Sequence, residues 1–165
     1  NHRKSARHLI VVSDTSPLSN LLSIGLEHIL QDLYRDVVIP QVVHDELMAY
    51  HAKLPDFIRV GKVKNQNAVQ TLLELIDEGE AEAVILAEEL KADLLLIDEQ
   101  KGREVATKRC LNVIGLLGVL VQARQKGKIG ALKPVIDRLQ NSPGFWISDE
   151  LKTQILASVN ETRNP

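Results

Sequence analysis

One cysteine, Cys110, serves the whole 165-residue chain, so no internal disulfide is available and the fold is indifferent to redox state, which suits a reducing cytoplasm. Its neighbours, Lys-Arg-Cys-Leu-Asn-Val-Ile, read as a helix end entering a strand, where a free cysteine is a small buried hydrophobe rather than a catalytic thiol. No apolar run approaches the roughly 20 residues that a membrane helix needs, which excludes a spanning protein. Aromatic residues make up only 3% of the chain, scattered as Tyr34, Tyr50, Phe57, Phe145 and Trp146. That excludes base-stacking platforms of paired strand aromatics. Phe145 and Trp146 are expected to dock the C-terminal helix on the body of the protein, or as an exposed pair to serve a partner interface. A net charge of -2 gives no global electrostatic footprint for nucleic acid.

What is present is a soluble globular composition, 44% hydrophobic and 25% charged, in a length that buries a core without disulfides or a structural metal. Residues 1–8, NHRKSARH, are basic and polar, lack a signal-peptide core, and are expected to be an extension or the remnant of a trimmed or tagged start. Residues 9–165 are expected to form one domain, with 145–165 as a C-terminal helical extension. Charge is uneven along it. Acid gathers in "ELIDEGEAEAVILAEEL", and base between Lys101 and Arg138. Two readings stand: a solvated surface, or a metal held by the first zone and a phosphate backbone by the second.

Short β-branched runs alternate with helical patterns: "LIVVS" (9–13), "VVIP" (37–40), "FIRVGKV" (57–63), "DLLLID" (93–98) and "NVIG" (112–115). Helices are predicted over 17–24, 27–34, 41–50, 67–76, 79–91, 101–109, 116–126, 131–140 and 148–159. Strands alternating with helices argue for an α/β fold with a mainly parallel sheet of about four to five strands, covered on both faces.

Ligands of such sheets sit beyond the carboxyl ends of the strands. Two strands end there in aspartate, Asp14 in "IVVSD" and Asp98 in "LLLID". Ser16 is expected to cap the first helix with Pro17 in its first position, which leaves Asp14 without a capping role. In "VIPQVVHDELMAY", Val42, Val43, Leu47 and Met48 set a buried stripe and place Glu46 on or beside it. His44 and His51 do not make the His-Glu-x-x-His zinc pattern. In "DEGEAEAVILAEEL", Glu80 shares the inward side with Val84 while Glu82 tends towards solvent. Asp14, Glu46, Glu80 and Asp98 would thus gather four carboxylates that cannot all stay ionised without compensation. All-oxygen clusters suit hard cations such as Mg²⁺ or Mn²⁺, which activate a water and neutralise a phosphodiester.

Four blocks, "SDTSPLSNLLSIG", "VIPQVVHDEL", "GEAEAVILAEELKADLLLIDEQKGREVA" and "NVIGLLGVLVQARQKGKI", occur in an order and spacing that resembles the PIN-domain superfamily. The nearest likeness is to the DUF3368 subgroup, related to VapC-type toxins. The resemblance implies a PIN-like three-layer α/β/α fold and places the family's acids on Asp14, Glu46, Glu80 and Asp98, with Glu80 standing where VapC-type members often carry Asp. Thr15 and Ser16 match the hydroxyl residues that support the first aspartate. Glu82 and Glu99 are candidate auxiliary ligands, and Arg103 a candidate partner of Asp98 or of a substrate phosphate. The same resemblance implies a Mg²⁺- or Mn²⁺-dependent endoribonuclease, dimeric, controlled by a small antitoxin. A PIN-like module that binds RNA or protein without cutting is the alternative. A haloacid dehalogenase-type site wants a second Asp where Ser16 stands, and dinucleotide binding wants a Gly-x-Gly-x-x-Gly that no strand precedes.

Overall fold

The computed structural model describes residues 8–163. The expected extension 1–8 therefore lies outside the described residues except for His8, whose Nε2 is 3.5 Å from Asp36. Five short strands, β1 (Val11–Ser13), β2 (Val37–Pro40), β3 (Ile58–Gly61), β4 (Leu94–Leu96) and β5 (Val113–Ile114), pair in the order β3-β2-β1-β4-β5. Every pairing is parallel. The chain builds outward from β1 to β3 and then crosses back to β4, so strand order reverses between β1 and β4. That reversal opens a crevice at the carboxyl edge of an open parallel sheet.

The described helices are α1 (Thr15–Ser23), α2 (His28–Tyr34), α3 (Gln41–Met48), α4 (Gln66–Leu72), α5 (Glu78–Glu89), α6 (Gln100–Lys108), α7 (Leu116–Gln125), α8 (Leu132–Gln140) and α9 (Asp149–Ser158). Strand pleating sends successive side chains to opposite faces. Val11 and Leu96 join one core with Leu18, Leu30, Leu47, Leu120, Ile136 and Leu156, whereas Val12, Leu95 and Ile97 join a second core with Leu72, Val84 and Ala106. Three layers result, with the sheet in the middle. Helix α5 is buried on all sides from Gly79 to Ala87, so its small and apolar residues pack without a solvent face.

Four local expectations need correction. Helix α1 begins at Thr15, so Ser16 is an exposed first-turn residue rather than the cap. Pro17 is tolerated there because first-turn N–H groups have no intrahelical partner. Met48 is 41% exposed and Glu46 also faces solvent, because the buried stripe of α3 narrows to Val43 and Leu47. Cys110 is exposed, in the left-handed region just past α6, rather than buried. Trp146 does not dock the last helix. Phe145 packs against the core instead, and Trp146 stands 83% exposed.

Among the described residues no helix is long and apolar enough to cross a membrane. Within the basic zone Arg109 pairs with Glu88, Arg124 with Glu161 and Lys133 with Asp137, which Lys152 of α9 also holds.

Candidate active site

Asp14 occupies the N-cap position of α1 but makes no side-chain capping bond. Its carboxylate is therefore not spent on the helix. Its own N–H continues the ladder to the Leu96 carbonyl at 2.9 Å, which pins it to the end of β1 beside β4. It is 6% exposed, and burial is the main reason that its carboxyl is pushed up to about 7. The negative charges of Asp77, Glu46 and Asp98 push in the same direction, while the Thr15 N–H opposes them.

The other acids reach the same cleft from separate elements. Glu46 comes from α3 and accepts a hydrogen bond from the Thr15 hydroxyl. Asp98 lies two residues past β4, where its Oδ1 accepts from the Leu116 N–H at 2.7 Å. Burial raises the pKa of Asp98, and that N–H and the Arg103 guanidinium oppose the rise. Arg103 itself donates to the Ile97 carbonyl at 3.3 Å. Glu80, on the first turn of α5, is held up above the ordinary carboxylate range, first by burial, then by its hydrogen bond with Asp77 and by repulsion from Asp77, Asp14 and Glu99.

Glycines make room for these acids. A Cβ on Gly79 would lie 3.0 Å from Glu46 Oε1 and 3.4 Å from Asp14 Oδ1. On Gly102 it would lie 2.5 Å from Glu80 Oε2 and 2.6 Å from Ile97 Cδ1, and Ile97 is fully buried. On Gly115 it would lie 2.8 Å from both Asp98 Oδ1 and Arg103 Nη1. Gly102→Ala is expected to cost about 1–3 kcal/mol, as overpacking does, less the gain in helix propensity, and to turn Glu80 away from the cleft. A thermal melt paired with an activity assay checks both effects. Unchanged melting and unchanged activity would show that Glu80 has no fixed place.

The cleft holds about 670 Å³ and is lined by Asp14, Thr15, Ser16, Glu46, Asp77, Glu80, Asp98 and Glu99 among others. Two expected site residues are not in that lining. Arg103 stands outside the lining, near enough to Asp98 for its charge to act on that carboxyl. Glu82 is buried rather than directed to solvent, near Val42 and Gln66, with Oε2 lacking any hydrogen-bond partner. Its pKa is raised, chiefly by burial. The reason is that α5 has no exposed face along this stretch.

Asp77, absent from the residues that sequence reasoning singles out, belongs to the lining. Its side chain caps α5 by accepting from the Glu80 N–H at 2.8 Å. The signal is readable as Asp-x-x-Glu at a helix start, the spacing of a capping box.

Among the described residues no three of His, Cys, Asp and Glu stand close enough together to enclose a metal ion. The donor set still fits one. Mg²⁺ keeps several waters and takes one or two carboxylates, so it needs no closed protein cage. The acids around Asp14 offer only oxygen donors and stand in mutual repulsion that a hard cation would relieve.

A family model described as DUF3368, a PIN domain, matches residues 10–161. No curated protein matches the chain.

Proposed function

Because the chain belongs to the PIN-domain family, whose members are generally nucleases, we propose that it is a metal-dependent endoribonuclease in which Asp14, Glu46, Glu80 and Asp98 hold Mg²⁺ or Mn²⁺, one or two of them directly and the others through water. The observation that carries this reading is the convergence of those acids, with Asp77, on one cleft at the strand-order reversal of a parallel sheet. Such a cation would supply charge neutralisation at the phosphodiester and make a water easier to deprotonate for attack on phosphorus, with the bond from phosphorus to the 3′-oxygen breaking to leave a 5′-phosphate and a 3′-hydroxyl.

The chain's own residues do the rest. Asp14 presents a nearly dry carboxylate at the floor. Thr15 fixes the rotamer of Glu46 by its hydroxyl, and the Leu116 N–H fixes Asp98. Glu80 and Asp77, tied through the cap and a shared hydrogen bond, are placed to exchange a proton with a water in the cleft. Ser16 and Glu99 line the entrance, where they would contact solvent molecules around the cation. Arg103 acts on Asp98 through its charge. Control by a small antitoxin and pairing of two copies belong to the same proposal, as does action in the cytoplasm.

The test is cleavage of a mixed panel of labelled RNAs with Mn²⁺, with Mg²⁺ and with chelator. Cutting in either metal, absent in chelator, with 5′-phosphate ends supports the proposal. Metal-independent cutting, or neither cutting nor metal binding, sinks it. Two glutamates on one helix sharpen the assignment. Glu80→Gln is expected to lose cleavage roughly a hundredfold or more. Glu82→Gln is expected to keep it, and to melt slightly higher at pH 8 because it removes a buried charge with an unsatisfied oxygen. Equal losses in the two variants would show that the cleft lining is not the site boundary.

A further inference from the structure

We propose that Tyr50 and Trp146 are stacking platforms on which unpaired bases of the RNA strand rest while it occupies the acidic cleft. The inference rests on the nuclease reading above and adds the residues that hold its substrate. Tyr50 follows α3 and is 84% exposed; Trp146 precedes α9 and is 83% exposed. They are far apart in sequence. Yet both line the acidic cleft, together with Phe145, so three of the chain's five aromatic residues meet at one site.

Two such rings, the most exposed of the large hydrophobic side chains described, leave apolar area in water that a ligand would cover. The charge around them narrows what can hold that ligand. The lining contains six carboxylates and, among the described residues, no lysine or arginine. Phosphate contacts to cationic side chains therefore cannot supply affinity within the cleft. Neutral aromatic faces can, because every base has a π-face and stacking is worth about 5- to 150-fold in affinity per base. Paired bases in a duplex keep those faces covered. Phe145, packed against the core, anchors the segment that presents Trp146.

The chain has one tryptophan, so emission reports Trp146 alone. A short unstructured RNA of mixed sequence, added with Mg²⁺ to the Asp98→Asn variant so that the strand stays intact, is expected to quench that emission saturably. A duplex of the same sequence is not. Adding Tyr50→Ala is expected to weaken the titration about tenfold. In wild-type kinetics, Trp146→Ala is expected to raise KM about tenfold with a smaller change in kcat, and Trp146→Phe to recover most of the loss. Absence of quenching, equal quenching by duplex, or an unchanged KM in Trp146→Ala overturns the inference. So does a blue shift that grows with protein concentration without RNA, which would assign the face to a second copy. Quenching by RNA in a protein that never cuts would keep the platforms and sink the nuclease reading; cutting with KM unmoved would do the reverse.

Discussion

Asp14→Asn is expected to abolish metal-dependent cleavage, by roughly a thousandfold or more, while the folded protein melts no lower than wild type. The two halves of that expectation come from one observation. Asp14 sits in the cap position without making a capping bond, and burial first, then the acids around it, raises its pKa. An amide of the same shape removes the cost of burying the charge and the weaker repulsion around it, so the fold gains rather than loses. The same amide is a poor ligand for a hard cation, so the chemistry fails. Asp98→Asn should lose cleavage too, but its folding outcome differs. Its Oδ1 accepts the Leu116 N–H at the start of α7, and an amide oxygen can keep that bond, so little change in melting is expected. Circular dichroism melts beside cleavage rates check both variants. An Asp14→Asn protein that cuts at the wild-type rate would remove this carboxylate from the reaction.

Much of the site is legible in the sequence because it is written in local chemistry. A strand that ends in aspartate at the carboxyl edge of a parallel sheet is a short-range pattern, and Asp14 and Asp98 both carry it. The five strand positions and the alternation with helices follow from β-branched runs, and they stand where expected, though trimmed at their ends. What the sequence hides depends on tertiary burial. Glu82 looks solvent-facing from the helical spacing of α5, but that helix is covered on every side, so spacing cannot sort its faces. Asp77 looks like an ordinary turn residue, and only the packing of α5 against the sheet turns that cap into part of the cleft. Low aromatic content argues against stacking platforms. Three scattered aromatics nonetheless meet at one cleft, because folding joins the end of α3 to the segment before α9.

The metal-free protein is expected to lose stability as pH rises from about 5 to about 8, against the usual direction for carboxylates. Asp14 carries a folded-state pKa of about 7 against 3.8 for the free side chain, with burial as the main cause. The native state therefore binds more protons than the unfolded chain between those values. Stability from this group is full below pH 4 and is lost as pH climbs through 7. Glu80 shifts the same way, first through burial and then through Asp77, and adds to the loss. The whole shift corresponds to about 4 kcal/mol, of which about 3 kcal/mol is lost above pH 5, or roughly 10 °C in melting temperature for a domain of this length. Groups with the opposite sign act elsewhere. Asp137, whose pKa is lowered by hydrogen bonds from Lys133 and then Lys152, costs stability only on acidification below about 4. A divalent cation should reverse the alkaline loss, since it binds the ionised acids of the folded state alone. Melting curves in chelator and in Mn²⁺ at pH 5 and pH 8 decide the matter: a large metal-induced rise at pH 8, a small one at pH 5, and a flattened response in Asp14→Asn. A chelated protein that melts equally at both pH values would mean that these carboxylates are not held together without metal.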